Sequence, residues 1–245
     1  MLQSLGYPAV ATASAAVAYA HGHDDGERMP FELMLDTIAR IAAAVDVPLS
    51  ADLERGYGAT PEAVEGRIAQ LLQAGAVGVN LEDGLPDHTL RPATEQAERL
   101  RAARAAANAA GVPLVINARV DVYVARRDAS PEARLDETLA RARAYLAAGA
   151  DCVYPMGAGD PDALRALRAA LDAPINVLAW AGVPTIAELE AIGINRLSLG
   201  PGLLKASATA MKGVAEALQR GGPYDAFTGD AVPSEEIRTW LARSP

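Results

Sequence analysis

The chain has 245 residues, 51% of them apolar and 22% charged, with a formal net charge of −9. That length suits one α/β domain with a sizeable core, and the acidic balance argues against nucleic acid, whose phosphates need a basic face. No apolar run is long enough to span a bilayer, no basic-then-apolar leader opens the chain, and the one cysteine, Cys152, excludes an internal disulfide, so a cytoplasmic location with no membrane partner is expected.

Residues 1–6 read as the tail of a helix ending at Gly6, and a short apolar run follows at 9–14. Six further runs lie at 48–54, 77–83, 114–120, 152–156, 175–180 and 196–200, each nearly continuous, as expected of strands covered on both faces. Helical stretches separate them, and the alternation predicts a parallel sheet. Thr60-Pro61, Ser130-Pro131 and Asp160-Pro161 each set a capping oxygen before a proline suited to the first helical turn. The stretch 131–148 carries Leu135, Leu139 and Leu146 among alanines and arginines, the spacing of a helix that packs one stripe on a sheet.

Two kinds of strand entry alternate strictly. Helix-ending glycines (Gly6, Gly75, Gly149, Gly193) precede the odd runs, and Pro48, Pro113 and Pro174 enter the even ones. Continuing that pattern backwards places a proline-entered strand ahead of residue 1. The expected fold is therefore a (β/α)8 TIM-type barrel whose first strand is missing from this chain, with a seven-strand or partly open barrel as the alternative. One domain is expected over 1–245, with a helical extension from about 206 that includes a last helix over 234–243.

In such barrels the reactive groups sit at the C-terminal ends of strands. Those ends carry Asp52 and Glu54, then Glu82 and Asp83, then Asn117, Arg119 and Asp121; the loop His21-Gly22-His23-Asp24-Asp25-Gly26-Glu27 follows the first run. Asp52 and Glu54, two apart on a strand, share a face. Carboxylates gathered inside a barrel need a compensating charge, and a hard divalent cation bound by oxygens matches these residue types. The competing reading has the acids capping loop amides or pairing with Arg119. Lys205 and Lys212 are the only lysines, which leaves little scope for Schiff-base chemistry.

Three motifs in this order, Ala51-Asp52-Leu53-Glu54-Arg55-Gly56-Tyr57-Gly58, Gly78-Val79-Asn80-Leu81-Glu82-Asp83 and Asn117-Ala118-Arg119-Val120-Asp121, resemble the isocitrate lyase/phosphoenolpyruvate mutase superfamily. Thr12-Ala13-Ser14 and the loop Asp24-Asp25-Gly26-Glu27 add to the likeness, which runs from about Leu5 to Ala215. The resemblance implies Mg2+ (with Mn2+ as a substitute) and cleavage or rearrangement of a C–C or P–C bond beside a 2-oxo acid. It implies Asp52 as the principal metal carboxylate, with Glu54, Glu82 and Asp25 holding the ion's waters. Arg119 would contact the substrate's oxyanion or carboxylate, assisted by Asn117, and the backbone around Thr12, Ala13 and Ser14 would hold a carboxylate. A homodimer or homotetramer that exchanges its terminal helix is also implied, with a helix folded back on its own barrel as the alternative.

The chain departs from the family in the segment 84–92. The lyases' cysteine-bearing loop is replaced by Gly84-Leu85-Pro86-Asp87-His88-Thr89-Leu90-Arg91-Pro92, and the lyases' later glutamate by Met156. The lysine and asparagine of the mutases are likewise absent from that loop, as is their histidine–serine pair after the sixth strand. The expectation is a lyase of a small 2-oxo or 2-hydroxy dicarboxylate, close to an oxaloacetate decarboxylase. Alternatives are P–C chemistry on phosphonopyruvate and a barrel that binds an anionic metabolite without turnover. His88 is the candidate proton donor and Tyr57 a candidate phenol, each with a bland rival as a surface or core residue. His21 and His23 are assigned to the surface, and Cys152 to the core.

Overall fold

A computed structural model describes residues 1–229 and 231–241. Its seven strands are β1 (Val10–Ala11), β2 (Leu49–Asp52), β3 (Gly78–Glu82), β4 (Val115–Val120), β5 (Cys152–Pro155), β6 (Asn176–Leu178) and β7 (Arg196–Ser198). Each falls inside one of the seven apolar runs. The strands all pair in parallel: β1 to β5 form one sheet in chain order, β6 pairs with β7, and a single bridge from Val153 to Ile175 joins the two.

The helices are α1 (Ser14–Ala20), α2 (Phe31–Ala44), α3 (Pro61–Gln73), α4 (Ala93–Ala110), α5 (Val122–Ala125), α6 (Pro131–Ala147), α7 (Pro161–Ala170), α8 (Ile186–Ile192), α9 (Gly202–Gln219), α10 (Asp225–Thr228) and α11 (Ser234–Leu241). The caps form as the sequence dictates. Thr60 accepts from Ala63 N–H, Ser130 from Ala133 N–H, and Asp160 from both Asp162 N–H and Ala163 N–H, with proline in the first turn each time. At the other ends Gly75 (φ 96°) and Gly149 (φ 100°) take the left-handed conformation that lets the chain leave the helix and enter β3 and β5.

Alternation along the strands sends Ala51, Val79, Leu81, Ile116, Ala118, Val120 and Val153 outward under the helices, all at most 1% exposed. They meet Met34 and Ile38 of α2, Val64, Ile68 and Leu71 of α3, and Leu100 and Ala103 of α4 in one core cluster. The inward positions carry the polar residues, and so the site.

Ladder pairing ends at β1 on one side and β7 on the other, giving a partial barrel with an open seam. Ala11 and Leu199 are exposed at its two lips. The tail differs from expectation in detail: α9 starts at Gly202, before 206, and α10 intervenes before α11. The expected last helix is described to Leu241, and its residues 242 and 243 lie outside the described residues. α9 buries none of its residues, leaving Leu203 and Met211 exposed. No described helix is long and apolar enough to cross a membrane.

Candidate active site

Asp52 closes β2, and its two oxygens have different fates. Oδ2 accepts the backbone N–H and the hydroxyl of Ser14, both at 3.0 Å, while buried Oδ1 has no partner. Thr12 is tied to the same point, its Oγ1 accepting from Asp52 N–H at 2.9 Å. Thr12, Ala13 and Ser14 thus form one wall of the site, but the donors of Ser14 are committed to Asp52 rather than free for a ligand.

β2 stops at Asp52, so strand alternation does not bring Glu54 beside it. A turn does: Glu54 has φ 52° and Tyr57 φ 50°, left-handed values that cost a side-chain-bearing residue energy and persist where the surroundings impose them. The imposing contacts are visible. Glu54 Oε2 accepts Glu27 N–H at 2.6 Å, Glu54 Oε1 accepts the Tyr57 hydroxyl at 3.2 Å, and Glu27 Oε1 accepts Tyr57 N–H at 2.7 Å. Glu27, itself at φ 59°, therefore fastens the acidic loop to the β2 turn. Burial first, then the charges of Asp25 and Asp52, push the Glu54 carboxyl up from 4.5 to about 7. Burial and the neighbouring Glu54 likewise raise the Tyr57 phenol, which keeps it a hydrogen-bond donor.

Glu82 closes β3 and meets Arg119 of β4, with Nη1 to Oε2 at 2.6 Å. Arg119 Nε holds Asp121 Oδ1 at 2.7 Å. Burial opposes the charge on Arg119, yet Glu82 and Asp121 outweigh it and keep the guanidinium protonated. Glu82 is pushed well above the carboxylate range by burial, with Arg119 pulling it back and Asp121, Asp52 and Glu54 adding to the rise. Arg55 stands on the far side of Glu82 at 3.8 Å and grips Glu27 Oε2 at 3.2 Å.

Two cavities that share Asp25 and Arg119 lie among these groups, and Glu27, Glu54 and Tyr57 line neither. One, of about 540 Å3, holds Asp52, Asn80, Thr12, Ser14, Tyr154 and Met156 and opens along the seam. The other, of about 320 Å3, holds Arg55, Glu82, Asp121 and the segment bearing His88. Arg119 is the partition between them. His88 sits at φ 64° on an exposed turn over the second cavity. Asn117 is fully buried and gives its amide to Asn80 Oδ1 at 2.8 Å; Asn80, not Asn117, lines the cavity. His21 is exposed and bonds Thr37, His23 is half-buried, and buried Cys152 has its thiol pushed up to about 11 by desolvation.

The sequence reading missed Arg55, Glu27 and Asn80 as site residues. A signal existed for Asn80: the alternation that turns Glu82 inward turns Asn80 inward too. Arg55 carried none, because its reach to Glu82 depends on the left-handed turn at Glu54.

Among the described residues no three His, Cys, Asp or Glu side chains form a direct metal cage. The donor set nevertheless fits a hydrated divalent ion. Asp52 Oδ1 is unpartnered, and the charges of Asp25 and Asp52 add to the proton affinity of Glu54. Mg2+ characteristically takes one or two carboxylates and keeps several waters, which the remaining acids can bind.

Carboxylates and two half-enclosed to enclosed arginines, Arg55 and Arg119, at the C-terminal ends of parallel strands define an α/β-barrel protein with a charged site. The family model for phosphoenolpyruvate phosphomutase matches residues 1–219, and the chain belongs to the phosphoenolpyruvate mutase/isocitrate lyase superfamily. It is 45% identical to a Burkholderia cenocepacia J2315 crystal structure provisionally described as a phosphonomutase, with a TM-score of 0.81 over 90% of this chain and 87% of that one. It is 35% identical to an uncharacterized Mycobacterium tuberculosis protein over 89% of this chain and 82% of the other. It is 28% identical to the oxaloacetate decarboxylase of a Bradyrhizobium species over 94% and 78%. It is also 27% identical to the 2-methylisocitrate lyase of Escherichia coli over 75% of this chain and 63% of the other.

Proposed function

We propose that the protein is a Mg2+-dependent lyase that breaks a C–C bond in a small 2-oxo or 2-hydroxy dicarboxylate, in the manner of an oxaloacetate decarboxylase. The observation that carries this reading is the juxtaposition of the unpartnered Asp52 Oδ1 with Arg119, a permanently charged group on the wall of the same cavity. Asp52 would hold the ion directly, with Asp25, Glu54 and Glu82 on its waters. When bound, the ion supplies Lewis-acid stabilisation of charge on the substrate's 2-oxygen.

The chain's own groups do the rest. Arg119 binds the substrate's carboxylate or 2-oxygen and is kept from swinging away by Glu82 and Asp121. Its charge then sits where negative charge grows as the bond breaks. Tyr57 holds Glu54 by a hydrogen bond, and His88, over the second cavity, delivers the proton that the product carbon needs. Tyr154 and Met156 line the first cavity together with Arg196 and Ser198.

P–C chemistry on phosphonopyruvate is the second reading, favoured by the description of the 45% identical structure. A homodimer or homotetramer is also proposed, supported by the exposed Leu203 and Met211 of α9. The test is a substrate panel of oxaloacetate, phosphonopyruvate, methylisocitrate and dimethylmalate, with Mg2+ and with chelator. Metal-dependent pyruvate release from oxaloacetate above the metal-only background supports the lyase. Phosphate release from phosphonopyruvate replaces it with the second reading. Oxalate binding with no turnover of any substrate leaves a binding protein.

A further inference from the structure

The segment after β3 is a small hairpin. Gly84 and Leu90 bridge antiparallel, Leu85 N–H donates to Thr89 O at 2.9 Å, and His88 N–H closes the turn onto Leu85 O at 2.9 Å. Its faces look onto two spaces, the site cavity and a second of about 330 Å3 lined by His88, Thr89, Arg126, Glu137 and Arg141. The hairpin is thus held at its base and has room on both sides of its tip.

The base is held by a buried trio from distant parts of the chain. Asp83, fully buried, accepts Tyr145 OH at 2.6 Å and Arg141 Nη1 at 3.0 Å on Oδ2. Arg141 Nη1 also donates to the carbonyl of Arg91 at 2.8 Å, and Arg91 N–H returns to the carbonyl of Asp83 at 2.8 Å, so one guanidinium joins both stems. The other oxygen of Asp83, Oδ1, accepts Asp121 N–H at 2.8 Å. Asp121 is the residue whose carboxylate holds Arg119 Nε. Gly84 lies so close that a Cβ there would collide with Asp121 Oδ2.

We infer that Asp83, Arg141 and Tyr145 are positioning residues for Arg119, setting its aim through Asp121 while fixing the base of the hairpin that carries His88. The inference rests on the proposed role of Arg119. None of the three lines the cavities that hold Asp52 and Glu82, so they act through other residues. A buried carboxylate that accepts from an arginine, a phenol and a backbone amide in fixed directions holds its neighbours far more rigidly than an apolar contact would. One consequence is coupling: a hairpin displaced at its base pulls on Arg91 and Asp83, and so shifts Arg119 and the proton donor together.

The test uses the full chain with Tyr145→Phe and Arg141→Met, each alone and combined with Arg119→Lys. Tyr145→Phe removes one hydrogen bond with little change of volume and carries the test if Arg141→Met does not fold. With the substrate that wild type cleaves, each change is expected to lower kcat ~10–100-fold. KM should move by less than about threefold, because the loss is in aim and not in binding. In the Arg119→Lys background the same changes should cost less than about twofold, since they act through a residue already altered. Equal losses in both backgrounds overturn the inference. Hydrogen exchange gives a readout independent of any ligand: Tyr145→Phe should speed exchange of the Asp121 amide about tenfold while strand amides of β2 and β3 hold. Uniform acceleration also overturns the inference. If wild type cleaves nothing but binds oxalate with Mg2+, the lyase reading fails, and the exchange result alone decides on the trio.

Discussion

Replacing Glu54 by glutamine tests the electrostatics of the site without a substrate. The amide keeps the shape: its carbonyl can accept Glu27 N–H, and its NH2 can donate to the Tyr57 oxygen in place of the present bond. What disappears is the charge. In the native state the carboxyl titrates at about 7, against an ordinary 4.5, because of burial and then Asp25 and Asp52. A carboxyl whose proton is held more tightly in the folded chain contributes stability below its unfolded value, and loses it as pH rises through the folded one. Integrated between pH 5 and pH 8, that loss is about 2.5 kcal/mol, from ~1.4 kcal/mol per pH unit. Urea unfolding of wild type and Glu54→Gln in chelator isolates it, since the other titrating groups largely cancel in the difference. The variant should gain on wild type by about 2.5 kcal/mol from pH 5 to pH 8. Added Mg2+ should then stabilise wild type at pH 8 and the variant much less. A difference that stays flat over this pH range would mean that Glu54 ionises as an exposed acid does, and the compressed acidic cluster would not exist.

Asp52→Asn keeps an oxygen for Ser14 but removes the charge, so calorimetry should find the Mg2+-induced rise in Tm lost while the metal-free Tm changes little. Arg119→Lys should lower kcat/KM by ~10²–10³-fold, because a compact ammonium lacks the planar fork that aims separate N–H groups at Glu82, Asp121 and a substrate oxygen; steady-state kinetics reads this directly. Gly84→Ala should destabilise by ~1–3 kcal/mol in urea unfolding, since the new methyl meets the Asp121 carboxylate. His88→Gln should cost ~10²-fold in kcat if the imidazole delivers the proton, and an unchanged rate removes it from the chemistry.

The strand count, the parallel order and the helix starts were legible because each rests on local chemistry: a cap, a proline, a left-handed glycine or an apolar run. The acidic strand ends were legible for the same reason. What could not be read is the part set by turns and by long reach. Glu54 lies near enough to Asp52 to feel its charge, through a left-handed turn and not through the two-residue alternation of a strand, and Arg55 reaches Glu82 just after that turn. Asn117 followed the right periodicity to the wrong depth, since its neighbour Asn80 takes the place on the cavity wall. Asp83 meets Arg141 and Tyr145 across 58 and 62 residues, and nothing in the local pattern of α6 marks those two among its other buried positions.

The arrangement of charge also says which groups are settled and which are waiting. Arg55 is matched to Glu27, and Arg119 to Glu82 and Asp121, each by contacts that survive without a ligand. Asp25, Asp52 and Glu54 have no such ion pair among the described side chains, and burial first, then the charges of Asp25 and Asp52, raises the affinity of Glu54 for a proton. Two things can offset these charges, a proton or a cation, and the charge of each opposes the binding of the other. Binding of a divalent ion must therefore expel a proton wherever Glu54 still carries one. The acidic cluster should bind Mg2+ more tightly as pH rises towards 7 and level off above it, which is the behaviour expected of a site whose carboxylates are held in place by Ser14, Glu27 and Tyr57 before any ion arrives.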